Sequence, residues 1–139
     1  MTIEDVHTRT RKARGTAIAE DYAEAIAAVV ATKGVCKAID LVRQFAVTHA
    51  TVNNTVARLQ RDGLVQTAPY QPITLTAAGE KIASRSRKRH ETVLRFLRKL
   101  GVSEKAAAID SEGIEHHVGK ETLAAMRKAI EKGWPAEPK

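Results

Sequence analysis

The sequence predicts a mainly α-helical protein with one short β-hairpin near its middle. Two helical stretches joined by three residues occupy 37–62, and two short runs of β-forming residues follow around Pro69 and Pro72. Helical periodicity then returns and continues to about residue 132. This order is typical of a winged helix-turn-helix followed by a helical domain. We therefore expect a mobile arm at 1–15, the winged helix at 16–80, a helical domain at 81–134 and a frayed tail at 135–139.

Length and composition exclude several classes of protein. The chain has 139 residues, 43% of them hydrophobic and 28% charged, which suits a small globular protein better than a large autonomous enzyme. The formal charge of +7 favours a polyanionic partner such as nucleic acid or an anionic membrane surface. No run approaches the roughly 20 apolar residues of a membrane span, and no secretory signal is evident, so we expect a cytoplasmic protein. Cys36 has no second cysteine to pair with, and we expect it to be a small buried hydrophobe.

The first helix is predicted at about 20–33. The chain shows no apolar periodicity before Gly15, whereas apolar residues recur at helical spacing from Asp21 onward. Lys33 supplies a basic last turn and Gly34 a stop. The recurring apolar residues are Tyr22, Ile26, Val29 and Val30.

The second and third helices form the predicted helix-turn-helix. They occupy 37–45 and about 49–62, and Thr48 is placed to cap the third helix. One stripe of the third helix is apolar and carries Val52, Val56 and Leu59. A helix with a buried back and a free polar face is what reading DNA requires.

The free face of the third helix carries the residues that we predict to contact DNA. Small polar side chains near its start can reach base edges, and asparagine is suited to paired hydrogen bonds with adenine. Arginines further along the helix are better placed for phosphates, which position a protein without reading sequence. The alternative is that these residues only solvate a surface helix. The candidates for base contacts are Thr48, Ala50, Thr51 and Asn54, and those for phosphate contacts are Arg58 and Arg61.

The rest of the chain is predicted to form the wing and three more helices. The predicted strands are 64–67 and 73–75, and the predicted helices are a long one that Thr76 caps and that reaches about Lys99, then about 103–118 and 121–132. Between Lys81 and Lys99 there are eight basic residues and one acidic residue. That run suits either a DNA contact or a solvated helix face, so we assign no site residue there except His90.

Acidic residues gather in one part of this basic chain. Five of the seven charged residues in 101–121 are acidic. Glu112, Glu115 and His116 stand at i, i+3 and i+4, so one helix face would carry all three. Like charges this close are unfavourable unless a cation neutralises them. The pattern indicates a metal site, although a helix face that merely carries charge has the same spacing. The first helix repeats the acidic spacing with Asp21 and Glu24.

Five motifs resemble the diphtheria-toxin-repressor family, and within it the manganese-regulator branch. They occur in unbroken order from about Glu20 to Ile130, and they agree with the family in both sequence and spacing. The motifs are Asp21-Tyr22-Ala23-Glu24, the helix-turn-helix 47–63, Leu75-Thr76-Ala77-Ala78-Gly79, Arg89-His90-Glu91 and Glu112-Gly113-Ile114-Glu115-His116-His117.

The resemblance implies a homodimer with an N-terminal winged helix domain, a C-terminal helical dimerisation domain and metal between them. Iron-sensing relatives carry methionine and cysteine where this chain has Asp21 and Glu112, so the resemblance favours manganese. The SH3-like domain of those relatives is not expected here. His117 is expected to lie outside the direct ligands, because it is roughly 100° around a helix from His116. The family's ligands for two manganese ions per subunit fall on Asp21, Glu24, His90, Glu112, Glu115 and His116.

The expected function is a manganese-responsive repressor that binds palindromic operator DNA and controls genes for manganese uptake. Four carboxylates and two imidazoles form a hard ligand set suited to Mn(II), although affinity alone does not exclude Fe(II) or Zn(II). An iron- or zinc-responsive regulator of the same family is therefore the nearest alternative. A di-metal enzyme is disfavoured, since the sequence has no His-Glu-x-x-His helix and no obvious free base. A winged-helix regulator that answers an organic ligand or none is the remaining alternative.

Overall fold

A computed structural model of the protein describes residues 2–133, without the side chains of Arg9, Thr10, Lys12 and Ala13. Helices dominate this part of the chain, which confirms the predicted mainly α class. The predicted frayed tail and Trp134 lie outside the described residues. The elements are α1 (Ile3–Lys33), α2 (Ala38–Phe45), α3 (His49–Arg61), β1 (Val65–Gln66), β2 (Thr74–Leu75), α4 (Ala77–Lys99), α5 (Glu104–Ile114) and α6 (Lys120–Lys132).

The chain divides into two compact units, and the division falls between Ser86 and Arg87, inside α4. The sequence pattern put the boundary between residues 80 and 81, where the predicted winged helix ends. The first turns of α4 belong with the first unit because they bury Ala83 and Ser86 there. Since α4 is continuous through the division, no linker marks it in the sequence.

Helix α1 begins at Ile3, so the prediction of a first helix starting near residue 20 is wrong. The residues predicted to form a mobile arm are helical from Ile3 onward. Thr2 caps this helix: its hydroxyl accepts a hydrogen bond from the Asp5 N–H at 3.1 Å, and the Asp5 carboxylate accepts one from the Thr2 N–H at 3.0 Å. Apolar periodicity appears only where a helix is buried, and this part of α1 is largely exposed.

The core of the first unit lies between α1, the helix-turn-helix and the wing. Tyr22 of α1 stacks on Phe45 of α2 with ring centroids 4.5 Å apart. Cys36 is buried beside the wing, and its backbone forms a β-bridge with Ile73. Burial raises the pKa of the Cys36 thiol to about 11, so it stays protonated at neutral pH. The predicted role of Cys36 as a buried hydrophobe is confirmed.

Asp40 joins the end of α1 to the start of α2. Its carboxylate accepts a hydrogen bond from the Lys33 ammonium and another, at 2.9 Å, from the Lys37 N–H. The hydrogen bond from Lys33, followed by the one from Lys37, holds the pKa of Asp40 below its ordinary value. The carboxylate therefore remains ionised and orients α2 relative to the preceding helix.

The helix-turn-helix and wing follow the prediction closely. Thr48 caps α3 by accepting a hydrogen bond from the Thr51 N–H at 3.1 Å. Strands β1 and β2 are antiparallel, with Val65 opposite Leu75 and Gln66 opposite Thr74, and both are shorter than predicted. The connection from the wing to α4 is anchored by Thr76, whose hydroxyl donates to the Gly63 carbonyl at 2.7 Å.

The second unit consists of the rest of α4 with α5 and α6, and its buried residues include Val93, Ala107 and Leu123. Helix α5 ends at Ile114, so its predicted extension to about residue 118 is wrong. Glu115 keeps helical dihedral angles and donates its N–H to the Ser111 carbonyl, and a tight turn follows. Glycines at 113 and 119 weaken helix formation here, because glycine loses more backbone freedom than other residues in a helix.

In the part of the chain that the structure describes, every helix is too short or too polar to cross a membrane.

Candidate DNA-binding face and metal centre

Helix α3 presents one exposed polar face. All six residues predicted to contact DNA are exposed on α3 or at its cap. The opposite side of the helix is anchored by Val52, Val56 and Leu59, which are buried in the core. Thr48 also has a structural role, because its hydroxyl caps the helix and donates to the Thr51 hydroxyl at 3.1 Å. The exposed candidates are Thr48, Ala50, Thr51, Asn54, Arg58 and Arg61.

The wing ends in a tight turn that exposes Tyr70 completely. The Gln71 N–H donates to the Ala68 carbonyl at 2.9 Å, and Tyr70 has a φ of 64°. Because proline holds φ negative at Pro69, this combination defines a type II turn, in which glycine or asparagine is usual at the Tyr70 position. An exposed aromatic ring on a strained backbone beside α3 is a candidate for contact with DNA. Sequence reasoning did not identify it. The signal was a proline followed by a bulky residue at the turn.

In the first unit, the two predicted ligands Asp21 and Glu24 are partly buried on α1. The Ser86 hydroxyl of α4 donates a hydrogen bond to Glu24 Oε2 at 2.9 Å. Ser86 is 1% exposed, so this hydrogen bond is shielded from solvent. The spacing of the sequence does not predict this pair, because its members are 62 residues apart.

In the second unit, His90 of α4 lies beside Glu112 and Glu115 at the end of α5. His90 Nδ1 is 3.1 Å from Glu115 Oε2 and 3.9 Å from Glu112 Oε1. One donor atom from each of the three residues lies within 4.8 Å of the other two. Glu115 is 1% exposed, whereas the side chain of Glu112 is 66% exposed and forms the open side of the cluster.

His116 completes the cluster on the other oxygen of Glu115. Its Nε2 lies 3.3 Å from Glu115 Oε1, and its side chain is nearly buried. Glu115 therefore has one imidazole beside each carboxylate oxygen. His117, which is predicted to lie outside the direct ligands, is exposed.

The donor set of this cluster suits a divalent metal ion. His90 Nδ1 is buried and makes no hydrogen bond among the described residues, although a carboxylate oxygen is 3.1 Å away. A lone pair of imidazole and one of a carboxylate repel each other unless a proton or a metal ion lies between them. Carboxylate and imidazole are ligands that Mn(II), Fe(II) and Zn(II) all accept. His90, Glu112, Glu115 and His116 therefore fit a metal site.

A winged helix with an exposed polar face on α3, together with a helical unit that carries candidate metal ligands, is the arrangement of a metal-responsive DNA-binding protein. Comparisons with known proteins agree with this class. The family model for the N-terminal DNA-binding domain of iron-dependent repressors matches residues 16–73. The model for the metal-binding and dimerisation domain of the same repressors matches residues 76–132.

Curated relatives of the chain include transcriptional regulators named MntR. The chain is 39% identical over 124 residues to the transcriptional regulator MntR of Escherichia coli O157:H7, covering 89% of this chain and 80% of the relative. It is 37% identical over 99 residues to the HTH-type transcriptional regulator MntR of Bacillus subtilis strain 168, covering 71% and 70%. The chain belongs to the iron-dependent, or diphtheria-toxin, repressor family, and within it to the MntR branch. It is a transcriptional regulator and not an enzyme.

Solved structures share the fold. A manganese-dependent transcriptional repressor in complex with manganese superposes with a TM-score of 0.74 at 24% identity, over 84% of this chain. T. acidophilum IdeR superposes with a TM-score of 0.71 at 22% identity, over 86% of this chain. The chain spans only 53% and 62% of the lengths of these two proteins.

Proposed function

We propose that this protein is a manganese-responsive transcriptional repressor that binds operator DNA as a homodimer in the cytoplasm. The observation that carries the proposal is the buried Glu115 carboxylate with an imidazole beside each oxygen, in a chain whose relatives are named MntR. The carboxylate and imidazole groups of this cluster are suitable ligands for a metal ion. The exposed face of α3 is the surface with which the metal-loaded protein would bind DNA.

We infer that six residues hold two metal ions per subunit. They are Asp21, Glu24, His90, Glu112, Glu115 and His116. Four carboxylates and two imidazoles form a hard ligand set that suits Mn(II). The bound metal supplies positive charge that neutralises the crowded carboxylates. Fe(II) and Zn(II) compete for the same ligands, because divalent zinc binds such donors more tightly than manganese does.

The six proposed ligands are divided between the two compact units, and we propose that bound metal couples the unit that carries α3 to the rest of the subunit. In the absence of metal the carboxylates repel one another, and we infer that α3 is then held less well for binding DNA. Such coupling is reciprocal, so operator DNA must tighten manganese binding by the factor by which manganese tightens DNA binding.

On the exposed face of α3, different residues are suited to contacts with bases and to contacts with phosphates. Asn54 is suited to paired hydrogen bonds with adenine in the major groove. Arg58 and Arg61, further along the same face, are suited to phosphates. A dimer would present two copies of α3, so we propose a palindromic operator upstream of genes for manganese uptake.

We further propose that dimers form through an apolar patch on the second unit, made of the exposed residues Ile109, Gly113 and Ile114 and the half-buried Val118. Ile109 is 64% exposed, and contiguous exposed apolar residues mark interaction surfaces. The occupant is a second copy of the chain, since the patch lies within the region that matches the dimerisation domain of the family.

Replacing Ile109 with aspartate should convert the dimer to a monomer in sedimentation velocity, because the charge would be buried at the interface. Ile3→Asp is the matched control, since Ile3 is an exposed isoleucine of the first unit. A variant Ile109→Asp that sediments as the wild type would place the interface elsewhere.

The metal dependence of DNA binding tests the function itself. Duplexes are selected from random-sequence DNA by the manganese-loaded protein, and their affinity is then measured by gel shift with Mn(II) or with chelator. We expect Mn(II) to raise the affinity by a factor of about 5 to 150, the usual range for coupled sites. Equal affinity in manganese and chelator would refute the proposal. The same titration with Fe(II) and Zn(II) tests the iron- or zinc-responsive alternative.

A further inference from the structure

We propose that Ser86 is a positioning residue for Glu24, and that its hydroxyl group strengthens manganese binding by orienting the Glu24 carboxylate. The inference rests on the proposed function, in which Glu24 is a metal ligand. Ser86 lies one helical turn before His90, but none of the five motifs includes it, and its partner Glu24 is 62 residues away in the sequence.

The contact between Ser86 and Glu24 is direct and shielded. The Ser86 hydroxyl donates to Glu24 Oε2 at 2.9 Å, which is within the ordinary range for a hydroxyl and a carboxylate. Ser86 is 1% exposed and Glu24 is partly buried. Water is therefore a poor competitor for this hydrogen bond, and both residues lie within the first compact unit.

The hydrogen bond restricts a side chain that is otherwise free to rotate. The terminal torsion of glutamate is broad, so an unrestrained carboxylate samples many orientations. A donor on Oε2 selects one of them and leaves Oε1, and the remaining lone pair of Oε2, available to a cation. Groups that orient a ligand in this way commonly change metal affinity by about 10- to 100-fold when they are removed.

The competing explanation is that Ser86 is purely structural, since a buried hydroxyl needs an acceptor wherever it lies. The two roles predict different measurements. A structural role would change the melting temperature of the metal-free protein and leave manganese affinity as it was. A positioning role would lower manganese affinity whether or not the melting temperature of the metal-free protein changes.

The test is calorimetric titration of Mn(II) into the full-length protein, with thermal unfolding in chelator as the second measurement. Ser86→Ala should bind Mn(II) about 10- to 100-fold more weakly than the wild type. Cooperative unfolding in chelator would show that the variant is folded, and an unchanged manganese affinity would overturn the positioning role. Ser84→Ala is the matched control, because Ser84 lies two residues earlier on the same helix. Ser86→Thr, which keeps a hydroxyl, should restore much of the affinity.

A double-mutant comparison with Glu24→Gln separates failure of this inference from failure of the proposed function. We expect Glu24→Gln to weaken Mn(II) binding and the added Ser86→Ala to weaken it little further, since the residue that Ser86 orients is already lost. If Glu24→Gln binds Mn(II) as the wild type does, the assignment of Glu24 as a ligand is wrong. If Glu24→Gln weakens binding but Ser86→Ala does not, only the role of Ser86 is overturned.

Discussion

Replacing Glu115 with glutamine should abolish the response to manganese while leaving the metal-free fold intact. Glu115 has His90 on one carboxylate oxygen and His116 on the other, and glutamine removes the negative charge while keeping nearly the same shape. The loss of manganese affinity should exceed the roughly 10- to 100-fold that removal of an outer-shell partner causes. In the wild type, Mn(II) at about 100 times its dissociation constant should stabilise the fold by about 2.7 kcal/mol. Thermal unfolding with and without Mn(II) measures this difference directly.

Glu104→Gln provides the matched control, because Glu104 is an exposed carboxylate in the first turn of the same helix, α5. This variant should keep both the stabilisation by Mn(II) and the manganese-dependent binding of DNA. The assignment of Glu115 as a ligand is wrong if Glu115→Gln is still stabilised by Mn(II) to the same extent as the wild type. A melting temperature in chelator that matches the wild type would show that the loss is not caused by misfolding.

Replacing Gly79 with alanine should destabilise the first unit by about 3 kcal/mol or more. A Cβ atom at this position would lie 2.1 Å from the Leu64 carbonyl oxygen and 3.1 Å from Leu75 Cδ2. The carbonyl cannot move aside easily, because it accepts hydrogen bonds from the Thr76 N–H at 3.0 Å and from the Thr76 hydroxyl at 3.1 Å. We expect the melting temperature to fall by about 10 °C or more, as measured by circular dichroism.

Gly15→Ala is the control for the Gly79 prediction. Gly15 also lies within a helix, but a Cβ atom there would meet no atom within 4 Å. Alanine should therefore stabilise the protein at this position by roughly 0.5–1 kcal/mol, because glycine loses more backbone freedom on folding. Similar melting temperatures for Gly79→Ala and the wild type would contradict the close approach of α4 to the wing.

Caps and apolar stripes in the sequence predicted those helices and strands whose boundaries depend on residues nearby in the chain. The Thr48 cap and the apolar stripe of α3 lie within a few residues of each other, so the sequence contains the whole signal. The start of α1 was missed because the first turns of that helix are exposed and need no apolar stripe. The end of α5 was missed because residues 116–118 include no proline or glycine, and Gly119 lies beyond the residue at which the helix ends.

Only part of the candidate metal site could be predicted from the spacing of residues in the sequence. Glu112, Glu115 and His116 are close in sequence, and their spacing alone indicated a shared face. His90 stands alone in a basic stretch and was assigned only through the resemblance to the repressor family. Its distance of 3.1 Å from Glu115 depends on the packing of α4 against α5, which no local pattern specifies.

By itself the sequence determined the class of the fold, the exposed polar face of α3 and the chemical type of the candidate metal ligands, because each depends on residue identity and short-range periodicity. Only the tertiary structure decided that Gly79 must be glycine and that Ser86 donates to Glu24. Both are contacts between residues far apart in the chain. Packing of the folded chain, which spacing cannot encode, brings such residues within hydrogen-bond or van der Waals distance.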